Sequence, residues 1–285
     1  MNGILLVNKE KNYTSRDVVN IISKEFKTKK VGHTGTLDPM ATGVLVVTIG
    51  PSTKLSELLT STYKEYIACV TLGISTDTLD ITGNIIDIKE AIYTLEEIKD
   101  VLNKMKGKYI QEVPIYSAVK VNGKKLYEYA RNNEKVTLPK KEVDIKKIEL
   151  LEYKVEDNKT LFKFKCLVSK GTYIRSLIRD IAKNLNTIGV MTDLIRTKQG
   201  NFDISKSYKI DEIKNGNYEL LNPVKFLNVY KLEVDDYLKD KIKNGAILEN
   251  RYSEDIVMFT YNNEILAIYK KYEKNPTKIK PWKMF

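Results

Sequence analysis

Gly32-His33-Thr34-Gly35-Thr36-Leu37-Asp38-Pro39-Met40-Ala41-Thr42-Gly43-Val44-Leu45 is the stretch on which the reading of this chain turns. Glycines, a proline and the single histidine of the chain crowd into it. Such a run cannot form a regular helix or a central strand, because glycine gives up backbone order and proline lacks a donor. It reads as a rigid loop whose backbone comes close to something. Pro39 fixes its own φ and restricts Asp38, so the carboxylate stands at a defined place. By residue type two readings of Asp38 stay open: a cap for the following turn, or a catalytic carboxylate. The segment is not a P-loop, since it lacks the GK[ST] ending.

Working outward, Ile4 to Val7 reads as a short buried strand. Thr14-Ser15-Arg16-Asp17 is a capping-box start, and Val18, Ile21, Ile22 and Phe26 follow at helical spacing. Glu65 to Leu72 is strand-like. Thr94 and Glu97 form a second capping box, with Leu95, Ile98, Val101, Leu102 and Met105 on one face. Val121-Asn122-Gly123-Lys124 is a two-residue hairpin signal. From Thr160 to Val168 the apolar residues alternate, with Phe162, Phe164, Cys166 and Val168 on one side. Tyr173 to Leu185 reads as a helix. Strands and helices mix without a regular βαβ rhythm, which predicts an α+β fold with a central mixed, mostly antiparallel sheet flanked by helices. Near Asn222-Pro223 the pattern changes. Ile256–Tyr261 and Ile265–Tyr269 then predict a small C-terminal β domain, giving domains over residues 1–225 and 226–285.

The chain has 285 residues, and 42% of them are hydrophobic, enough for a real core. Lys and Arg number 48 against 37 acidic residues, a formal charge of +11. That excess suits nucleic acid, where cations displace counterions from phosphates, and equally suits a plain Lys-rich surface. Cys69 and Cys166 form no CxxC pair, and one histidine leaves no zinc pattern, so no metal is expected. Free thiols fit a reducing cytoplasm. The apolar run at the N-terminus is too short for a signal peptide, and no stretch reads as a membrane span.

Further blocks stand out: Gly3 to Lys9 with Thr14-Ser15; Lys64-Glu65-Tyr66; Thr76-Asp77-Thr78-Leu79-Asp80; Tyr116 to Lys120 with Gly123 to Arg131; Ser169 to Arg175; and Leu194-Ile195-Arg196. Together with Gly32–Leu45 these blocks resemble the TruB family, the bacterial tRNA pseudouridine-55 synthases. The resemblance covers most of the chain, and the C-terminal region is similar to the family's PUA-like domain. Glu10 stands where the family often has proline, Ile195 where it has a polar residue, and Leu79, Ile81 and Thr82 depart from its acidic loop. These departures bear on RNA contacts more than on chemistry.

The resemblance implies the pseudouridine synthase fold and an enzyme that isomerises uridine to pseudouridine in the TΨC loop of tRNA. It assigns Asp38 as nucleophile, Arg175 as its cationic partner, and Tyr66 as the base-stacking residue, also a candidate proton acceptor. Tyr173 and Leu194 would line the pocket, and His33 would face the flipped-out nucleotide. Lys9 and Lys64, with Lys120, are candidate phosphate contacts. The isomerisation loses no atom and needs no redox step, so no cofactor is expected. What it needs is a carboxylate kept ionised in a dry pocket, hence a cationic partner. A monomer acting on the tRNA T-arm without a guide RNA is expected. Two rival readings are an RNA-binding or RNA-folding module with dispensable catalysis, and an enzyme that depends on a guide RNA and protein partners.

Overall fold

The computed structural model describes residues 1–60 and 63–285. In chain order the first elements are β1 (Gly3–Lys9), α1 (Ser15–Glu25), β2 (Val31–His33), β3 (Thr42–Ile49), α2 (Ser56–Thr60) and β4 (Lys64–Leu72). A hairpin β5–β6 (Ile74–Thr76, Ile85–Ile88), α3 (Leu95–Lys104), β7 (Gly107–Glu112), a tight hairpin β8–β9 (Lys120–Val121, Lys124–Lys125) and α4 (Leu126–Arg131) follow. Then come the long pair β10 (Lys140–Glu156) and β11 (Lys159–Val168), α5 (Ile174–Asn184), β12 (Gly189–Gln199), β13 (Phe202–Asp203) and α6 (Ile210–Lys214).

Among the described residues nine strands make the main sheet, in the order β1-β3-β12-β4-β11-β10-β7, with β2 on β3 and β13 on β12. Its pairings are antiparallel except for a short parallel contact of Thr42 and Gly43 with Ile195 and Arg196. This is the mixed, mostly antiparallel α+β sheet that the sequence predicts.

Local signals build these elements. Thr14 caps α1 by accepting from the Asp17 N–H, while the Thr14 N–H donates to the Asp17 carboxylate at 2.8 Å. Thr94 and Glu97 repeat the device on α3. There Ile98, Val101 and Leu102 are buried, whereas Leu95, in the first turn, stays exposed. Asn122 and Gly123, both at positive φ, close the β8–β9 turn. Phe162, Phe164, Cys166 and Val168 all face the core.

The helices α1, α3 and α5 cover one face of the sheet, around Leu5, Val7, Leu45, Val47, Phe164, Leu177 and Ile178. The alternate residues Ile4, Leu6, Val44 and Val46 face the other way, against Met258 and Ile268 of a second sheet. That sheet is formed by β14 (Tyr230–Glu233), β15 (Leu248–Glu249), β16 (Ile256–Tyr261), β17 (Glu264–Lys271) and β18 (Lys278–Met284), with α7 (Asp236–Lys243) packed on it. It is the small C-terminal β domain. β1 and β3 are thus buried on both faces, which explains the uninterrupted apolar run Ile4–Val7.

Gly43 marks where β3 meets β12. Its φ is +106°, and a Cβ there would stand 2.8 Å from the Arg196 nitrogen and overlap the Arg196 carbonyl. Gly43→Ala is therefore expected to lose about 1–3 kcal/mol from backbone strain, before any clash with β12 is counted. A urea-unfolding midpoint equal to the parent's would show that β12 yields freely here.

Candidate active site

Asp38 lies in the loop between β2 and β3, beside the N-terminus of α5. Arg175, in the first turn of α5, grips it with two parallel bonds. Nε stands 2.9 Å from Oδ2, and Nη2 donates to Oδ1 at 3.2 Å. Nη2 also donates to the Tyr116 carbonyl and Nη1 to the Thr78 carbonyl, each at 3.0 Å. Asp80 approaches Nη1 at 3.8 Å. Four of the five guanidinium donors are thereby engaged, and the contacts on all three nitrogens fix its plane. Its side chain is 6% exposed against 33% for Asp38, so the arginine backs a carboxylate that opens to the outside. Asp80 is itself buried, and its Oδ1 accepts from the Thr82 N–H and from the Thr78 and Thr82 hydroxyls.

The carboxylate opens into a cavity of about 480 Å³. Gly35, Leu37, Tyr66 and Leu194 line it, together with Tyr116, Ser117 and Tyr127 of the segment around the β8–β9 hairpin. Lys64, Lys141 and Lys170 line it as well. Of the residues expected from sequence, Asp38, Tyr66, Arg175, Lys64, Tyr173 and Leu194 meet at this cavity.

Burial raises the Tyr66 phenol, against the opposing pull of Arg196. Its ring is buried against the cavity and presents a flat face there. Burial likewise raises Tyr173, whose backbone N–H donates to Gln111 Oε1 and whose carbonyl accepts from Nε2. Burial first, then repulsion by Arg196, Lys170 and Lys141, pushes the Lys64 ammonium down to about 8.

Three expected residues lie elsewhere. Lys120 is exposed at the start of β8, outside the cavity lining. Lys9 was read as a phosphate contact, but it is fully buried. Its ammonium donates to the carbonyls of Glu10, Tyr13 and Pro39, so it holds the loop after Asp38 and offers nothing to a phosphate. A lysine on a strand end gives no sign in sequence of pointing inward. His33, on β2, does not line the cavity. Its Nδ1 accepts from the Gly35 N–H, and burial together with Arg196 and Arg16 lowers its pKa, so it is a neutral imidazole. From sequence Arg196, Ser15 and Gln111 have no role, and Asp80 reads as a loop cap or substrate-positioning group; its carboxylate does accept from the Thr82 N–H. Arg196 is fully buried and donates to the carbonyls of Val44, Thr36 and Gly35. Among the described residues no group of three or more His, Cys, Asp or Glu side chains is placed to hold a metal ion, and no helix is long and apolar enough to cross a membrane.

Comparison with known proteins agrees with this geometry. Residues 23–174 match the TruB family pseudouridylate synthase N-terminal domain. A Caldanaerobacter subterraneus protein named tRNA pseudouridine synthase B is 44% identical over 270 residues, 94% of each chain. A Staphylococcus saprophyticus protein of the same name is 41% identical over 302 residues, covering 100% of this chain and 99% of its own. A solved chain of a Cbf5–Nop10–Gar1 complex superposes with a TM-score of 0.68 at 25% identity, over 94% of this chain and 78% of that one. The class that fold and site define is a pseudouridylate synthase, an enzyme. Within that class the chain belongs to the TruB family.

Lys64 supplies a pH test. Above pH 8 it loses its charge, so RNA affinity is expected to fall between about pH 7 and pH 9 as one cation leaves the cavity. Lys64→Met should bind more weakly at the lower pH and lack that step. Lys9 titrates in the same range outside the cavity. Parallel Kd-against-pH curves for parent and variant would assign the step to another group.

Proposed function

We propose that the protein isomerises the uridine of the TΨC loop of tRNA, position 55, to pseudouridine, with Asp38 as nucleophile and without cofactor or guide RNA. The observation that carries this is the paired Asp38–Arg175 carboxylate opening into a cavity lined by Tyr66, Tyr116 and Tyr173. The reaction breaks the C1′–N1 bond, turns the uracil and joins C1′ to C5. The C5 proton leaves and N1 is protonated, so atoms balance. Arg175 holds the carboxylate in place and offsets its removal from water. Tyr66 gives a flat neutral face for the uracil, Leu194 and Tyr173 keep water away, and Lys64 faces the backbone phosphate. His33 braces the loop from behind.

The target base must leave its stack, at a cost of a few kcal/mol that phosphate contacts and stacking repay. The T-arm suits a reader of shape, since it displays an ordered loop. We take residues 1–225 as the catalytic domain and 226–285 as a PUA-like RNA-binding domain. The enzyme works as a monomer in the cytoplasm. Relatives above 40% identity carry the tRNA enzyme's name, and they favour this reading over dependence on protein partners of the kind found with the Cbf5 chain.

Incubation of the purified protein with an unmodified tRNA transcript tests the proposal. Pseudouridine should form without added cofactor or guide, and RNA binding without turnover would leave only a binding module. Asp38→Asn should abolish turnover while keeping tRNA affinity within about tenfold, because phosphates dominate binding. Arg175→Lys should lose most activity, because an ammonium cannot hold a carboxylate with two parallel bonds. Near-parental rates in either variant would remove that residue from its role.

A further inference from the structure

Gln199 ends β12, on the far side of the loop from Arg175, and is fully buried. Its Nε2 donates to the Thr34 carbonyl at 3.2 Å, to the Thr34 hydroxyl, and weakly to the Leu59 carbonyl at 3.5 Å. Turning the amide over would set Oε1 against two carbonyl oxygens, so the contacts themselves fix its orientation. That leaves Oε1 buried with no hydrogen-bond partner among the described residues. Most buried amide oxygens find a donor, and an unpaired one calls for an explanation. This oxygen lies beside the Gly35 Cα. A Cβ built there would stand 3.3 Å from Oε1, and 3.4 Å from both Arg196 Nη1 and Lys64 Cε, so these atoms border one small space. The amide is held in one orientation by its Nε2 end.

We infer that Gln199 is a positioning residue of the reaction: by pinning Thr34, where the loop leaves the sheet, it sets where Asp38 stands four residues later. The inference rests on the reading of Asp38 as nucleophile. Among the described residues Thr34 is otherwise tied through its backbone N–H, which donates to the Val46 carbonyl. The same amide reaches Leu59 in α2, so it links the loop to the segment that leads into Lys64. Small errors at such a hinge matter, because an attacking group displaced by a fraction of its bond length loses most of its advantage.

Gln199→Met keeps the volume and removes both ends of the amide. At saturating T-arm minihelix the single-turnover rate of pseudouridine formation should fall about tenfold or more, with Kd for that RNA within about threefold. A residue that serves the fold alone would lower the melting temperature and leave the rate of the folded protein within twofold, and that result would overturn the inference. Gln199→Leu, which has no polar side-chain atom and so cannot donate to carbonyls, carries the same test should the methionine variant unfold at the assay temperature. Unfolding of both would place Gln199 in the fold and also overturn it. Asp38→Asn run alongside separates the two ideas. If that variant turns over, the nucleophile assignment fails whatever Gln199 does. If it is dead while the Gln199 variants match the parent, only the positioning role falls.

Discussion

A carboxylate set at the edge of a cavity has to be held there, and the loop that carries Asp38 is held residue by residue. Thr34 is fixed by Gln199, Gly35 and Thr36 by Arg196, Leu37 by both its N–H and its carbonyl on the Ser15 hydroxyl, Asp38 by Arg175, and Pro39 by Lys9. The holders come from β12, α1, α5 and β1, elements that meet only once the sheet is complete. All five are buried polar or charged side chains. Burying such groups is costly unless every one of them is paired, so the network forms as a whole or not at all. The loop itself contributes no regular structure, and its rigidity is borrowed from the strands and helices around it.

The same arrangement sets the electrostatics of the cavity. One open carboxylate faces Lys64, Lys141, Lys170 and the buried guanidinium of Arg196, so the interior is strongly positive. The mutual repulsion shows in Lys64, pushed down to about 8 by burial and its cationic neighbours. A polyanion relieves that repulsion on entering. Charge crowding in the cavity thus favours a polyanion beside the Asp38 carboxylate.

Much of the fold was legible because it is written locally. The capping boxes at Thr14 and Thr94, the turn at Asn122-Gly123 and the alternation through β11 each need only a few neighbouring residues. Asp38 was legible as unusual for the same reason, since Pro39 and the flanking glycines sit beside it. The pairings that make the site work join distant parts of the chain. Asp38 and Arg175 lie 137 residues apart, and Arg196 reaches Val44 across 152. Spacing and composition carry no trace of such contacts, so Arg175 as a partner came only through resemblance. Lys9 shows the converse error. Its neighbours mark it as a strand end in a basic protein, where lysines usually reach solvent, and only the packed sheet shows that its ammonium turns inward.

The buried polar groups also solve a problem that the apolar pattern cannot. A strand with one wet face has its register set by alternation, because a slip of one residue exposes its apolar side. β1 and β3 have no wet face: Leu5 and Val7 pack under the helices while Ile4 and Leu6 pack against the C-terminal sheet. Sliding β1 by one residue would exchange one set of aliphatic side chains for another at little cost in burial. What cannot slide is the polar residue at each end. Lys9 pairs with Gly43 and must reach the Pro39 carbonyl, and Asn2 must accept from the N–H and hydroxyl of Ser52. Gly43, in turn, is the only kind of residue that lets β3 lie against the Arg196 backbone. Lys9 and Arg196 thus serve twice: their side chains hold the loop that carries Asp38, and their places in β1 and β12 help to fix the strands beneath it. A sequence that lost them would loosen the position of Asp38 and the register of the sheet together.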